Sequence, residues 1–356
     1  MNMLPKRFGN LGFGFVQMVT LKDIAKKVGR SVTTVSRALH DYDDVSSETK
    51  ILVRQVAEEL GYTPNINAQR LQSRRSDTIG FVIPTYGPRF TDPFFSEFLA
   101  GIGNTAARLG YDILVSTHPI GEEELISYQR KVRSFRVDGF VIVRTRRHDA
   151  RIEYLCESKF PFVSFGRVEG ECLFPYVDVD NPLAMNLITR HLVELGHKRI
   201  AFIGAPDILM FAHIRLEAFR TALMENNLSL EDELTVFGDL TQKGGFEQAE
   251  KLLDLDEIPT AIVASNDLMA LGAISAAQKR GLEVGKEIAI IGFDDVPQAE
   301  LNHPTLTTIH QPIYKIGTMA CEMLIRTLAG DTLEEQNILL KPSLIVRESC
   351  GGLSAT

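Results

Sequence analysis

The sequence is poor in the features that would place it in several common classes. It has 4 cysteines, Cys156, Cys172, Cys321 and Cys350, scattered with no Cys-x-x-Cys pair. That spacing argues against a zinc site or a disulfide framework and leads us to expect reduced thiols in a cytoplasmic protein. No apolar run approaches the roughly 20 residues of a membrane span; the stretch from Ile288 to Phe293 is typical of the longest. A membrane is therefore not an expected partner. Residues 1–17 carry Lys6 and Arg7, then Gly9, Gly12 and Gly14 among Leu and Phe. They offer neither the unbroken apolar stretch nor the small-residue cleavage site of a secretory signal. We read 1–17 as a disordered extension, or as residues upstream of a true start at Met18. Low-complexity tracts are missing too. So are a glycine-rich phosphate loop ending in Lys-Ser or Lys-Thr, a Gly-x-Ser-x-Gly elbow and a His-Glu-x-x-His pair. The 8 histidines show no ligand spacing. No catalytic residue, metal site or cofactor is assigned. Gly101-Ile102-Gly103-Asn104-Thr105-Ala106 fits Gly-x-Gly-x-x-Ala, but it lies inside a helical pattern and not after a strand. It reads as helix packing.

Charge is what first divides the chain. The 356 residues suit one small and one large domain, or three moderate ones. Net charge is −8, yet residues 1–75 hold 12 Lys and Arg against 7 Asp and Glu, while the remainder holds 26 against 39. A basic head on an acidic body suits a nucleic-acid-binding module joined to a part that does not bind nucleic acid.

The head reads as three helices. Leu21, Ile24, Ala25 and Val28 recur at helical spacing after a capping Thr20, and Gly29 suits the left-handed residue that ends such a helix. A second helix over 31–39 turns Val35, Ala38 and Leu39 inward and leaves Val32, Thr33, Ser36 and Arg37 outside. A third, from about Glu48 to Leu60, has Leu52, Val53, Val56, Ala57 and Leu60 inside, Ser46 or Ser47 as cap and Gly61 as stop. Two short helices joined through a glycine turn and braced by a third form a helix-turn-helix. Its second helix fits the DNA major groove, where an arginine such as Arg37 can bind guanine bidentately or grip a phosphate. Indifferent helix formers such as Val32, Thr33 and Thr34 need a reason to stand there, and close approach to DNA supplies one.

Thr20-Leu21-Lys22-Asp23-Ile24-Ala25, Gly29, Ser31, Thr34-Val35-Ser36-Arg37 and Gly61-Tyr62-Thr63-Pro64-Asn65 closely resemble the head of the LacI/GalR repressor family. The resemblance implies that Val32, Thr33 and Arg37 face bases. The DNA-contact set we expect is Thr20, Ser31, Val32, Thr33, Thr34, Ser36 and Arg37, with Asn65, Ala68 and Leu71 from the segment that follows. That segment, 64–76, is polar and basic around one large apolar residue, Leu71. The family hinge helix it resembles places the residues matching Ala68 and Leu71 in the minor groove, where a leucine wedge unstacks a base step. Arg70, Arg74 and Arg75 can neutralise phosphates. So short a helix needs DNA and a partner hinge to be ordered.

Beyond Thr78 the chain alternates near-continuous apolar strands with helices, the signature of doubly wound α/β structure. Strands are expected at 79–83, 113–116, 140–143, 162–165, 200–203, 261–264 and 288–291, with helices near 95–109, 183–195, 214–225, 246–253, 268–279 and 314–328. The fold expected is α/β: an all-α head at 18–63, a hinge at 64–76, and a two-lobed periplasmic-binding-protein-like domain at 77–348. Lobe one is drawn at about 77–178 plus 310–340, lobe two at about 179–309 plus 341–348. Ser265-Asn266-Asp267, Ile291-Gly292-Phe293-Asp294-Asp295 and Pro304-Thr305-Leu306-Thr307 carry the resemblance here. Ligands of open α/β sheets sit at the carboxyl ends of strands. By that rule and the resemblance, the candidate ligand residues are Phe94, Phe95, Arg144, Arg167, Asp180, Arg215, Asn266, Asp294 and Gln311. Capping is the competing role at Asp294, but Asp295 is the better cap for the next segment. Leu240 stands where some relatives place a bulky aromatic. Val143-Arg144-Thr145-Arg146 and 162–167 resemble, within the family, regulators of α-glucoside uptake. The function implied is a DNA-binding transcription regulator, a repressor acting as a homodimer or tetramer and responding to a sugar-like effector. A solute-binding protein would share the body but have no use for residues 20–75; an enzyme would need the motifs that are missing.

Overall fold

The computed structural model describes residues 19–62, 75–85, 92–170 and 172–351. They fall into two compact units, divided at Arg74 and Arg75, and each is described by itself. The extension expected at 1–17 and residues 63–74 of the linker lie outside the described residues.

The head is three helices: α1 Leu21–Val28, α2 Val32–Leu39 and α3 Ser47–Glu59. Asp23 turns its carboxylate back to accept from both the N–H and the hydroxyl of Thr20, at 2.9 and 2.7 Å. This satisfies polar groups at the helix start. Gly29, at φ 67°, ends α1 in the left-handed region. Ser31 and Ser46 cap the next two helices by accepting from Thr34 N and Thr49 N. Ile24, Val35, Ala38, Val45, Val53 and Val56 form the core. Leu52 departs from expectation. The inward stripe of α3 runs through Val53, Val56 and Ala57, which leaves the preceding residue, Leu52, on the outside at 44% exposure.

The body has two six-stranded sheets. The first collects β1 Thr78–Thr85, β2 Asp112–Pro119, β3 Gly139–Ile142, β4 Phe162–Phe165, β5 Tyr176–Val179 and a late strand, β11 Asn337–Leu340. Its order is β11-β5-β4-β3-β1-β2 and every pairing is parallel. The second collects β6 Ile200–Gly204, β7 Thr235–Phe237, β8 Ala261–Ala264, β9 Ala289–Asp294, β10 Thr307–His310 and β12 Ser343–Ile345. Its order is β12-β10-β9-β8-β6-β7, with only β12 antiparallel. The chain passes between the sheets after β5, after β10 and after β11.

Helices cover the sheets. In the first lobe these are α4 Pro93–Arg108, α5 Glu122–Arg133, α6 Ala150–Glu157 and, after the return from β10, α12 Ile313–Ala329. The second lobe holds α7 Asn181–Glu194, α8 Met210–Glu225, α9 Gln242–Leu252, α10 Asp267–Lys279 and the short α11 Pro297–Leu301. The Gly101 segment behaves as helix packing. A Cβ on Gly101 would run into the Tyr314 carbonyl oxygen, and one on Gly317 would come within 2.5 Å of that of Phe98, so α4 and α12 touch backbone to backbone. Each lobe has its own apolar core, around Phe81, Phe98 and Val141 in one and around Ile203, Ile262 and Ile290 in the other.

Two further expectations need correction. Cys156 and Cys172 form a disulfide, joining α6 to the chain just before β5, while Cys321 and Cys350 are buried thiols. The fold brings together cysteines whose spacing matches no motif. Asp295 is not a cap: Val296 stands at the N-cap of α11, and the Asp295 carboxylate instead accepts from Arg347 Nη2 at 2.8 Å and meets His310 Nδ1 at 2.9 Å. Among the described residues no helix is long and apolar enough to cross a membrane.

Candidate functional site

The outer face of α2 carries the candidate nucleic-acid interface. Val32 is 40% exposed, Thr33 and Arg37 are exposed, and Thr34 and Ser36 are half-buried. Exposing an apolar Val beside small polar residues costs solvation and leaves a surface shaped for close approach. Arg37 is held ready, its guanidinium 2.8 Å from Asp44 and stacked over Tyr42. Exposed ion pairs of this kind contribute little to stability and exchange readily for a phosphate or a base edge. Thr20 and Ser31 serve first as helix-start residues. Asn65, Ala68 and Leu71 lie outside the described residues.

The second site is the cleft between the two lobes, lined by residues from both. Every strand that reaches it does so with its carboxyl end. From the first lobe come Phe94 at the start of α4, Arg144 and Thr145 after β3, Phe165 and Gly166 at the end of β4, and Asp178 from β5. From the second come Asn181 opening α7, Phe211 and Arg215 of α8, Leu240, Ser265 and Asn266 after β8, and Asp294 ending β9. Gln311 contributes from the crossing after β10.

Arg215 is the centre of this arrangement. It is 4% exposed, donates to Asn181 Oδ1 at 2.7 Å and to the Ser265 carbonyl at 2.6 Å, and lies 3.3 Å from the Phe293 ring centre. Burial lowers its pKa to about 10, and the nearby carboxylates of Asp294 and Asp178 work against that shift. Asp294 is pushed well above the carboxylate range, also by burial, although Arg215 pulls the other way. Gln311 Nε2 donates to its Oδ1 at 2.5 Å. The backbone at Asp294 has φ 123°, a strained conformation that aims the side chain inward. Burial raises Asp178 as well, opposed by Arg167 at 2.8 Å.

Arg144 pairs with Asp92, which caps α4, and its guanidinium lies against the rings of Phe94, Phe95 and Phe211. Its Nη1 has no partner, nor do the buried Ser265 Oγ and Gln311 Oε1. Leaving such groups unmet costs free energy, about 1–3 kcal/mol each. A ligand rich in hydroxyls would satisfy all three, while Phe94, Phe165, Phe211 and Leu240 cover its apolar faces.

Six expected cleft residues therefore line the space: Phe94, Arg144, Arg215, Asn266, Asp294 and Gln311. Three do not. Phe95 is buried behind, packed edge-on against Phe94. Arg167 stands one step back, bound to Asp178. Asp180 is spent as the cap of α7, accepting from Leu183 N at 3.0 Å. Asn181 and Asp178, beside it in sequence, take the inward places. An Asp-Asn-Pro run announces a helix start, and nothing in it tells which carboxamide or carboxylate faces a cleft. Asn266 has both duties: it caps α10 by accepting from Met269 N, and its Nδ2 donates to the Leu240 carbonyl.

A helix-turn-helix and a two-lobed ligand-binding domain on one chain define a ligand-responsive DNA-binding regulator. The comparisons give the family. The profile of bacterial regulatory proteins, lacI family, matches residues 20–65, and that of the periplasmic binding protein-like domain matches 189–350. The transcriptional repressor CytR of Escherichia coli (strain K12) is 34% identical over 335 residues, covering 94% of this chain and 97% of that protein. The regulator AglR of Rhizobium meliloti is 36% identical over 339 residues, 94% of each. Among solved structures, the lac repressor dimer bound to operator and the anti-inducer ONPF superposes with a TM-score of 0.82 at 29% identity, covering 94% of this chain and 99% of that one. The CelR–cellobiose complex gives 0.72 at 30% identity, over 93% and 99%. This chain belongs to the LacI family of helix-turn-helix transcriptional regulators.

Proposed function

We propose that this regulator is a repressor of sugar-uptake or sugar-catabolism genes, working on DNA in the cytoplasm as a homodimer and controlled by a sugar-like effector in the interlobe cleft. Three unpartnered polar atoms converging on one cleft carry the reading: Arg144 Nη1, Ser265 Oγ and Gln311 Oε1. They call for a ligand with both donors and acceptors, backed by aromatic rings, which is what a sugar presents. The effector residues we assign are Phe94, Arg144, Asp178, Asn181, Arg215, Asn266, Asp294 and Gln311. On the DNA side, Val32, Thr33 and Arg37 read bases, Ser36 approaches with them, and Thr20, Ser31, Thr34 and Asn65 meet phosphate. Ala68 and Leu71 enter the minor groove. Two heads related by two-fold symmetry match a pseudo-palindromic operator.

In mechanism, the Asp294 carboxyl accepts hydrogen bonds from ligand hydroxyls while Arg215 and Arg144 donate from either lobe. Ligand contacts spanning both lobes favour one closure of the cleft. The lobes shift where the hinges leave them, and hinge pairing on DNA changes with that shift. The test is a thermal-shift screen with sugars and sugar phosphates, α-glucosides first, repeated with an operator obtained by selection from random DNA. A sugar that stabilises the protein and whose effect changes with operator present is expected. No stabilisation by any sugar, with stabilisation by an unrelated metabolite class, would overturn the effector assignment.

A further inference from the structure

We propose that Cys156 and Cys172 form a reversible redox pair that sets how firmly the two lobes close on the cleft. The disulfide lies outside the cleft, but it holds a segment that reaches the rim. Upstream of Cys172 are Glu169 and Gly166. Gly166 lines the cleft itself. Glu169 accepts from Arg147 Nε at 2.9 Å, its N–H donates to the Arg147 carbonyl at 2.9 Å, and its Oε1 lies 4.0 Å from His213 Nε2 on the opposite lobe. Arg147 in turn faces Asp207 of that lobe at 3.9 Å.

The backbone closes the same seam. Arg147 N donates to the Ile208 carbonyl at 3.0 Å and Met210 N to the Thr145 carbonyl at 2.9 Å, a small antiparallel bridge from lobe to lobe. One side of this latch is thus the chain from Thr145 to Arg147, braced by Glu169. The other end of the disulfide is firmly anchored. Cys156 sits on α6, whose Arg151 is fully buried and binds Asp149, Glu124 and the carbonyls of Val143 and Arg144. Oxidation therefore ties the Glu169 segment to a fixed platform. Reduction returns conformational freedom to it, and closure must then order it again.

Accessibility selects this pair. Cys156 and Cys172 are half-buried, whereas Cys321 is buried, with its thiol pushed up to about 12. A low-molecular-weight disulfide is the oxidant. One cysteine thiolate attacks it and releases one thiolate; the second cysteine attacks the mixed disulfide and releases the other. Two electrons pass to the reagent, and the two cysteine protons end on the two released thiols.

The proposal rests on the cleft being the effector site, so its test uses the ligand-free, full-length protein. The chain is equilibrated with glutathione or with glutathione disulfide, and the Cys156–Cys172 peptide link is scored by mass spectrometry. Hydrogen exchange is then followed at the Arg147 and Met210 amides. We expect the link in the oxidising buffer only, and exchange about fivefold faster when it is absent, on the scale of freeing roughly one residue of backbone. The double variant C156S/C172S should exchange like reduced wild type in both buffers. Equal exchange in the two redox states, or failure of the link to form in excess glutathione disulfide, would overturn the proposal. Neither outcome depends on which ligand fills the cleft.

Discussion

Asp294 is the residue at which stability and function oppose each other most clearly. Its burial disfavours the charged form, and Arg215 offsets only part of that cost. Since its folded pKa lies above the ordinary 3.8, its contribution to stability is fullest below about pH 4 and is lost as pH rises. Asp267, raised to about 6 by burial, acts in the same sense through pH 4 to 6. Asp294→Asn keeps an acceptor for Gln311 and removes the buried charge. We expect the stability of this variant relative to wild type to grow as pH rises from about 4 through the raised folded pKa of Asp294, in urea denaturation at a series of pH values. The same variant should bind effector about 10- to 100-fold more weakly by calorimetry, through the loss of the Asp294 carboxyl group's hydrogen bonds to ligand hydroxyls. At the other site Arg37→Ala should weaken operator binding by about 5- to 150-fold while leaving random DNA nearly unchanged. Fluorescence anisotropy on the two DNAs checks it. Equal loss on both would make Arg37 a phosphate contact instead.

Elements were legible to the extent that their buried face is apolar. Strand Ala261–Ala264 coincides with its sequence reading because it is a pure apolar run, and strand Phe162–Phe165 does so with a single small polar residue, Ser164, between apolar ones. Strand Thr307–His310 was not legible. Its Thr307 and Thr308 are fully buried, but they are satisfied by Ser349 and Asp267, partners far away in sequence. Helix α5 buries Glu124, Ser127 and Lys131 beside Tyr128, with Glu124 paired to Arg151 and Lys131 donating to Ser127, so no apolar stripe announces it. The cleft shares this limit: Asn181 and Asp178 face inward only because of how two sheets meet. Gly101, in contrast, was read correctly from its helical setting. Gly101→Ala should lower unfolding free energy by about 1–3 kcal/mol, since a Cβ there has only backbone to push against. The head, melting as a separate unit, should keep its own transition in calorimetry. For the proposed hinge, Leu71→Ala should reduce both operator affinity and DNA bending. A bend angle unchanged in a gel-mobility assay would remove the wedge.

At the scale of the whole molecule, head and cleft have value only if they are coupled. The basic head and acidic body were already separable by charge, and the family places both parts on one regulator. Coupling follows if the ligand spans Arg144 and Phe94 on one lobe and Arg215 and Asp294 on the other, because a ligand that touches both distinguishes one closure from another. The decisive measurement is a pair of titrations: operator affinity with and without saturating effector, and effector affinity with and without saturating operator. Both should change by the same factor, on the order of 5- to 150-fold, as linkage requires. Operator affinity that stays constant at saturating effector would contradict the account.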